Sequence, residues 1–427
     1  MSFSTTLAES IRRTVEIRRE EMVALCGRLV AARSVNPPGD TRSAAAVVQQ
    51  ALGDAGIRSR LVRSVESMPC VVAELDSGRP GPHLVLNVHL DTMPPGDEAA
   101  WSVSPWQLTR RDGRLYGLGM GNMKGAVAAM VQTARLLHEH RGHWSGRVTF
   151  TAVSDEVVFG EHGAAHLLAT VPDIAGDAML CGEGPGFRRL SIAEKGVLWL
   201  RLAAQARGGH SSAVTRGSSA SAIIAAAVLA IDRLNGEVVP LPPDLAIHED
   251  SLDPSGSVLT ANVGLVSAGT FIGQIATEAV AEIDFRLPPG TTADAVERRV
   301  RDILAASSDT ADVIVGRIKA WDPNWTAMRS EIGAAWEQAH RLVTGRTSSP
   351  AIRLPASDAS RWRRLSVPAL CYGPQPTLSA GIDDYAEEDE VLRCAELYTL
   401  TALAFLQASE QLSPLLLDEF SLPEMTK

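Results

Sequence analysis

Four short apolar runs, at residues 71–75, 83–88, 147–153 and 178–181, are separated in several places by helix-like stretches, notably 124–140 and 164–169. This alternation predicts an α/β sheet with helices on its faces. Ionisable residues follow the runs at once: His89 and Asp91, Asp155 and Glu156, and Glu183. Open α/β sheets place ligands at the carboxyl ends of their strands, so these residues mark where a site is expected.

Ahead of the first run, residues 7–32 read as one amphipathic helix, with Ile11, Val15, Ile17, Met22, Leu25 and Leu29 at roughly helical spacing. It is expected to stop before Asn36-Pro37-Pro38-Gly39, and a second helix to cover 43–55. From about Leu190 the pattern changes. A strand at 196–206 leads through Gly208-Gly209-His210-Ser211-Ser212 to a helix at 220–234. Strands at 258–266 and 278–287, a helix at 292–306 and a strand at 312–317 follow. This βαββαβ order is the ferredoxin-like arrangement, able to form a compact domain. Helix 330–343, strand 368–372 and helix 388–407 come next. The simplest topology is a discontinuous domain of residues 1–187 and 318–427, interrupted by a domain of residues 188–317. Residues 413–427 are expected to form a surface extension.

A length of 427 residues fits two domains. A net charge of −10 argues against nucleic acid or an anionic membrane as the main partner. Five dispersed cysteines (Cys26, Cys70, Cys181, Cys371, Cys394), with no CxxC pair, fit a reducing compartment better than a disulfide framework. Arg12, Arg13, Arg18, Arg19, Glu20 and Glu21 interrupt any apolar start, and no later run is long enough to span a bilayer. The expected location is the cytoplasm.

Each chemical motif is ambiguous alone. His89-x-Asp91 fits a strand-end histidine bonded to a turn aspartate, or a metal ligand whose second ring nitrogen is oriented by the carboxylate. Asp155-Glu156 fits a solvated helix start, where acidic residues are favoured, or a general base whose pKa is raised in a dry cleft. Glu183 repeats the pattern at a third strand end, and three ordered coincidences favour a site. His210 fits a surface histidine, or a group brought near a ligand by the backbone freedom of Gly208 and Gly209.

Together these residues resemble the M20 family of zinc aminoacylases and exopeptidases. The resemblance rests on Ser34–Gly39, the His89/Asp91 box, Trp101, Leu115-Tyr116-Gly117, Gly121-Asn122-Met123-Lys124-Gly125, Asp155-Glu156, Glu183 and Gly209-His210-Ser211. Later matches are Asp284-Phe285-Arg286, Ser357-Asp358-Ala359 and Tyr372-Gly373-Pro374. It implies a zinc-exopeptidase-like three-layer αβα catalytic domain with an inserted ferredoxin-like lid. The lid commonly dimerises and carries a histidine, here His210, that binds substrate or polarises its carbonyl. By the same resemblance Glu156 is the general base, aided by Asp91. Asn122, Arg286, Ser357 and Asp358 are substrate-binding positions, and His89 and Glu183 are metal ligands.

The match breaks at the metals. Asn122 stands where the family has an aspartate bridging two ions, Val157 where it has a glutamate ligand, and Ala380 where it has a late histidine. The last histidine in the chain is His340. Val157 and Ala380 correspond to the private ligands of one metal, so a two-metal clamp is lost, leaving no cofactor or one zinc at His89 and Glu183. Glu161 and His162 are either replacement ligands or helix-cap residues. In the lid, Gly273-Gln274-Ile275-Ala276 replaces the family's Asn-Val-Val-Pro, which implies altered substrate recognition.

Three functions follow. The first is cleavage of an amide in a small acylated amino acid or peptide-like substrate, by Glu156 and His210, with one metal or none. The second is a non-hydrolytic reaction on the same scaffold: cyclisation, acyl transfer or proton transfer. The third is a non-catalytic small-molecule-binding protein.

Overall fold

The computed structural model describes residues 5–186, 188–376 and 381–407. Ala380 and the expected extension at 413–427 lie outside the described residues. The chain forms two compact units. One comprises the chain up to Ile192, Thr326–Pro350 and the chain from Ser357 onward; the other is Ala193–Trp325 with Ala351–Ala356. The inserted unit therefore extends beyond residue 317. Strand Ile314–Trp321 stays paired with Gly196–Gln205 as far as Trp321 opposite Val197.

The first unit is built on a mixed sheet. Within this unit its strand order is Ser59–Arg63, Pro69–Asp76, Arg147–Val153, His83–His89, Ala178–Cys181 and Ala369–Cys371. His83–His89 (HLVLNVH) is buried along its whole length and lies parallel to both neighbours, as a central strand covered on both faces must be. Helices Arg42–Asp54 and Gly125–Glu139 pack on the sheet, as do Glu331–Thr344 and Ala359–Arg364. In Gly125–Glu139 the small residues Ala126, Ala128 and Ala129 are fully buried. The long helix Glu388–Gln407 packs on it, with Thr133 Oγ1 donating to Ala395 O at 3.3 Å.

The N-terminal helix differs from expectation. It is two helices, Thr5–Ile17 and Arg19–Ala31, parted at Arg18 (φ −93°, ψ 11°). The Arg18 guanidinium forks onto Glu139 at 2.9 and 3.0 Å, a tertiary ion pair that no local period encodes. A three-stranded sheet, in the order Tyr385–Glu387, Arg114–Tyr116, Thr109–Arg111, is also absent from the sequence reading, because its strands are three residues each.

The second unit has the expected βαββαβ order. Its antiparallel sheet runs Thr260–Ala268, Glu278–Leu287, Gly196–Gln205, Ile314–Trp321, the ferredoxin-like order. Alternate residues Leu198, Leu200, Leu202 and Ala281, Ile283, Phe285 turn inward with Ile224, Ile231, Val296 and Val300 of helices Ala220–Asp232 and Ala293–Ala305. All five cysteines are buried, and none is in a disulfide. Among the described residues no helix is long and apolar enough to cross a membrane.

Candidate active site

Sheet register assembles the site. Three parallel strands end side by side, with His89 opposite Val153 and Asn87 opposite Cys181. Glu156 follows Val153 by three residues and Glu183 follows Cys181 by two, so both acids arrive beside His89.

His89 is enclosed. Its Nδ1 lies 2.9 Å from the Asp91 backbone oxygen and 3.5 Å from the Asp91 carboxylate. Both are acceptors, so Nδ1 carries a proton and Nε2 is left to face the site. There it lies 3.3 Å from Asn122 Oδ1 and 3.5 Å from Glu156 Oε2. Burial lowers the imidazole pKa, but Glu156 and Asp91 outweigh it and the group is pushed up to about 10.

The Asp91 carboxylate does more than orient His89. It accepts from Asn36 Nδ2 (2.8 Å), Val157 N (3.0 Å) and Glu156 N (3.2 Å). Burial pushes its pKa up, but His89, Asn36 and the Val157 amide prevail and hold it below the usual carboxylate range. Asp91 thus fixes the backbone from which Glu156 projects.

Glu156 is buried, and its Oε1 has no hydrogen-bond partner among the described residues. Burial and then the Glu183 charge drive its carboxyl well above the ordinary range, opposed by His89. Asn122 closes the arrangement, donating from Nδ2 to Glu183 Oε1 at 3.2 Å while its carbonyl faces His89. The reverse amide orientation would set its oxygen against a carboxylate.

The loop carrying Asn122 hangs on Asp384. Gly119 N donates to Asp384 Oδ2 at 2.8 Å, Gly121 N to Oδ1 at 3.3 Å, and Gly117 N to the Asp384 carbonyl at 2.9 Å. Gly119 has φ +82°, and a Cβ there would lie 2.4 Å from Thr92 Cγ2. Neither Asp384 nor Asn36 was assigned a role from sequence, since their partners are far along the chain.

Ser357 and Asp358 lie in the same unit. Ser357 Oγ is 3.4 Å from Cys371 Sγ. Asp358 is buried with Oδ2 unpartnered among the described residues. Burial raises its carboxyl pKa, against the pull of Arg361 and His89, to about 7.

His210 and Arg286 belong to the second unit. His210 Nδ1 accepts from Ser212 N at 3.2 Å and faces Ser212 Oγ at 2.8 Å, which leaves Nε2–H as a donor on an exposed ring. The His210 loop is tied to the Gln274 segment, with Ile275 N on Gly209 O at 2.9 Å, and lines a cavity of about 340 Å³ with Phe271 and Gln274. Arg286 is held by Asp284 through Nε (3.1 Å) and Nη2 (3.0 Å). Its charge and burial lower the pKa of Lys195, in the same unit, to about 8, burial being the larger cause. Lys195 went unremarked in the sequence.

For a cation the fit is single. Ligand atoms of His89, Glu156 and Glu183, all buried, lie within 4.8 Å of one another, the one such trio among the described residues. The orphan Glu156 oxygen and the excess of acid over base also suit one divalent ion. In the turn that follows Glu156, Val157 is apolar, the Glu161 side chain is 82% exposed and 3.9 Å from Arg361, and His162 Nδ1 is 2.9 Å from Ser64 Oγ. Neither Glu161 nor His162 belongs to a group of ligand atoms close enough for a metal ion among the described residues.

Relatives share this architecture. A probable succinyl-diaminopimelate desuccinylase of Staphylococcus aureus (strain MSSA476) is 25% identical over 378 residues, covering 82% of this chain and 89% of its own. Human carnosine dipeptidase 1 superposes with a TM-score of 0.70 at 16% identity, covering 94% of this chain and 99% of its own. The Bacillus subtilis YXEP protein, described as a dinuclear metal-binding peptidase, gives 0.67 at 14% identity, covering 92% and 99%. The profile of Peptidase family M20/M25/M40 matches residues 85–404, which hold all of the site residues but Asn36. On that match the chain belongs to Peptidase family M20/M25/M40 and is an enzyme of the amidohydrolase and peptidase type.

Proposed function

We propose that this enzyme hydrolyses the amide bond of a small acylated amino acid or peptide-like molecule, using one cation or none. The observation that carries the reading is the Glu156 carboxylate, buried, raised in pKa and 3.5 Å from His89 Nε2. A buried carboxylate so placed can take a proton from an attacking water and return it to the leaving amine. His210, with its proton on Nε2, donates to the developing oxyanion. Arg286, with Lys195 beside it, meets a substrate carboxylate, and Asn122, Ser357 and Asp358 contact the remainder. One cation would be held by His89 and Glu183 with Glu156 adjoining, and would polarise the carbonyl. The substrate class draws on the relatives' names, a desuccinylase and a dipeptidase. The lid forms a homodimer, and the buried thiols suit the cytoplasm.

The test combines elemental analysis of the purified enzyme with assays on N-succinyl amino acids and dipeptides in ¹⁸O-water. Glu156→Gln should lower the rate about 10²–10⁴-fold. Full activity in that variant rejects the reading. The neutral side chains of Val157 and Asn122, where the resemblance expects carboxylates, favour a second reading, transfer or cyclisation without an activated water. Product lacking ¹⁸O would select it.

A further inference from the structure

Asn36 sits in the segment that precedes the whole sheet, yet its side chain lies at the centre of the site's hydrogen-bond network. The segment docks beside the end of the His83–His89 strand. Ser34 Oγ donates to Leu90 O at 2.7 Å, Thr92 N to Ser34 O at 2.9 Å and Asn36 N to Thr92 O at 2.8 Å. So held, and 3% exposed, Asn36 directs one amide nitrogen at two carboxylates: Asp91 Oδ2 at 2.8 Å and Asp155 Oδ1 at 3.1 Å.

Those two acids bracket Glu156. Asp91 accepts from the Glu156 and Val157 amides. Asp155 adopts φ 63°, and its other oxygen accepts from His162 N at 3.1 Å, closing the loop that follows Glu156. The loop folds tightly on that carboxylate, since a Cβ on Gly160 would lie 1.7 Å from Asp155 Oδ2. Two carboxylates brought this close repel each other, and a donor shared between them offsets part of that repulsion. An Asn side chain supplies both hydrogens from one atom and adds no charge.

We infer that Asn36 is a positioning residue of the active site: by joining Asp91 to Asp155 it sets where Glu156 stands against His89. The inference rests on the proposed roles of Glu156 and His89. It adds a residue whose side chain bonds to Asp91 and Asp155 and which lies outside the matched residues 85–404.

The full chain tests it with two readouts besides activity. The first is the ¹⁵N-histidine side-chain NMR spectrum of the metal-free enzyme, with the His89 signals assigned by their loss in His89→Gln. The second is titration with Co²⁺ followed by visible absorption. Asn36→Ala should shift the His89 ring signals, leave those of His138 and His340 in place, and weaken Co²⁺ binding roughly 10–100-fold. Unchanged His89 signals, with Co²⁺ affinity within twofold of wild type, overturn the inference. If Asn36→Ala does not fold, Asp155→Ala, which removes one arm of the bridge, is read in its place, and the same two outcomes decide. If the wild-type chain binds no Co²⁺, the one-cation form of the proposed function fails. The His89 signals alone then decide the role of Asn36.

Discussion

Asn122 donates its amide hydrogen to Glu183 across 3.2 Å, in a position where a carboxylate would face a carboxylate. The amide is therefore suited to a pocket with few cations: it pairs with Glu183 at one end and His89 at the other without adding charge. Asn122→Asp should destabilise chelator-treated enzyme by ~1–3 kcal/mol at pH 7, because one hydrogen bond becomes a repulsion. The same change should raise zinc affinity tenfold or more, as an anionic donor replaces a neutral one. Chemical denaturation with and without zinc, and competitive zinc titration, measure both effects. Equal zinc affinity in the two proteins would show that this position is not a donor.

Asp91 accepts from three nitrogen donors besides its contact with His89. Replacing one of its oxygens by NH₂ turns an acceptor against donors. Asp91→Asn should lose ~2–3 kcal/mol of stability and 10–100-fold in turnover. A urea titration and steady-state kinetics test this, and a variant as stable as wild type would contradict the network described.

Away from the site, Glu388 opens the last helix and ties together two distant arginines. It accepts from Arg110 at 2.6 and 2.7 Å and from Arg19 at 2.7 Å, with its side chain 5% exposed. Burial raises its pKa, but the two guanidinium groups win and hold it below the ordinary 4.5. A depressed carboxyl contributes stability above its unfolded pKa and loses it as pH falls through the folded one. Glu388→Gln should therefore cost ~1–3 kcal/mol at pH 7, with the gap to wild type closing below about pH 4. Urea midpoints at pH 7, 4 and below 3 give the comparison. A gap independent of pH would mean that charge is not what Glu388 contributes.

On the lid, Leu265 and Val266 of the edge strand Thr260–Ala268 are 64% and 60% exposed. An apolar edge left open invites pairing with another strand. With the lid as the dimer surface, the double variant Leu265→Lys, Val266→Lys should convert dimer to monomer in sedimentation velocity. A wild-type monomer at micromolar concentration would dismiss the dimer proposal.

The readable part of the sequence was the part governed by local period and short spacing. Continuous apolar runs announced sheet strands, and the ionisable residues just beyond three of them converge once those strands lie in register, as His89, Glu156 and Glu183 do. The βαββαβ order was legible for the same reason. What escaped were long-range partnerships. Asp384 supports a glycine loop more than 260 residues earlier, and Asn36 reaches an acid 119 residues later. Arg18, where the first helix breaks, pairs with Glu139, 121 residues away. None of these leaves a periodic trace. The polar segments concerned read as loops because their order comes from partners elsewhere.

Val157 keeps its backbone amide on Asp91 at 3.0 Å although its side chain offers no ligand atom. The backbone at this position therefore helps to fix Asp91 whatever side chain it carries. For protein engineering, position 157 is open to side-chain grafting: Val157→Glu would add a carboxylate directly after Glu156 while leaving the amide that holds Asp91 in place.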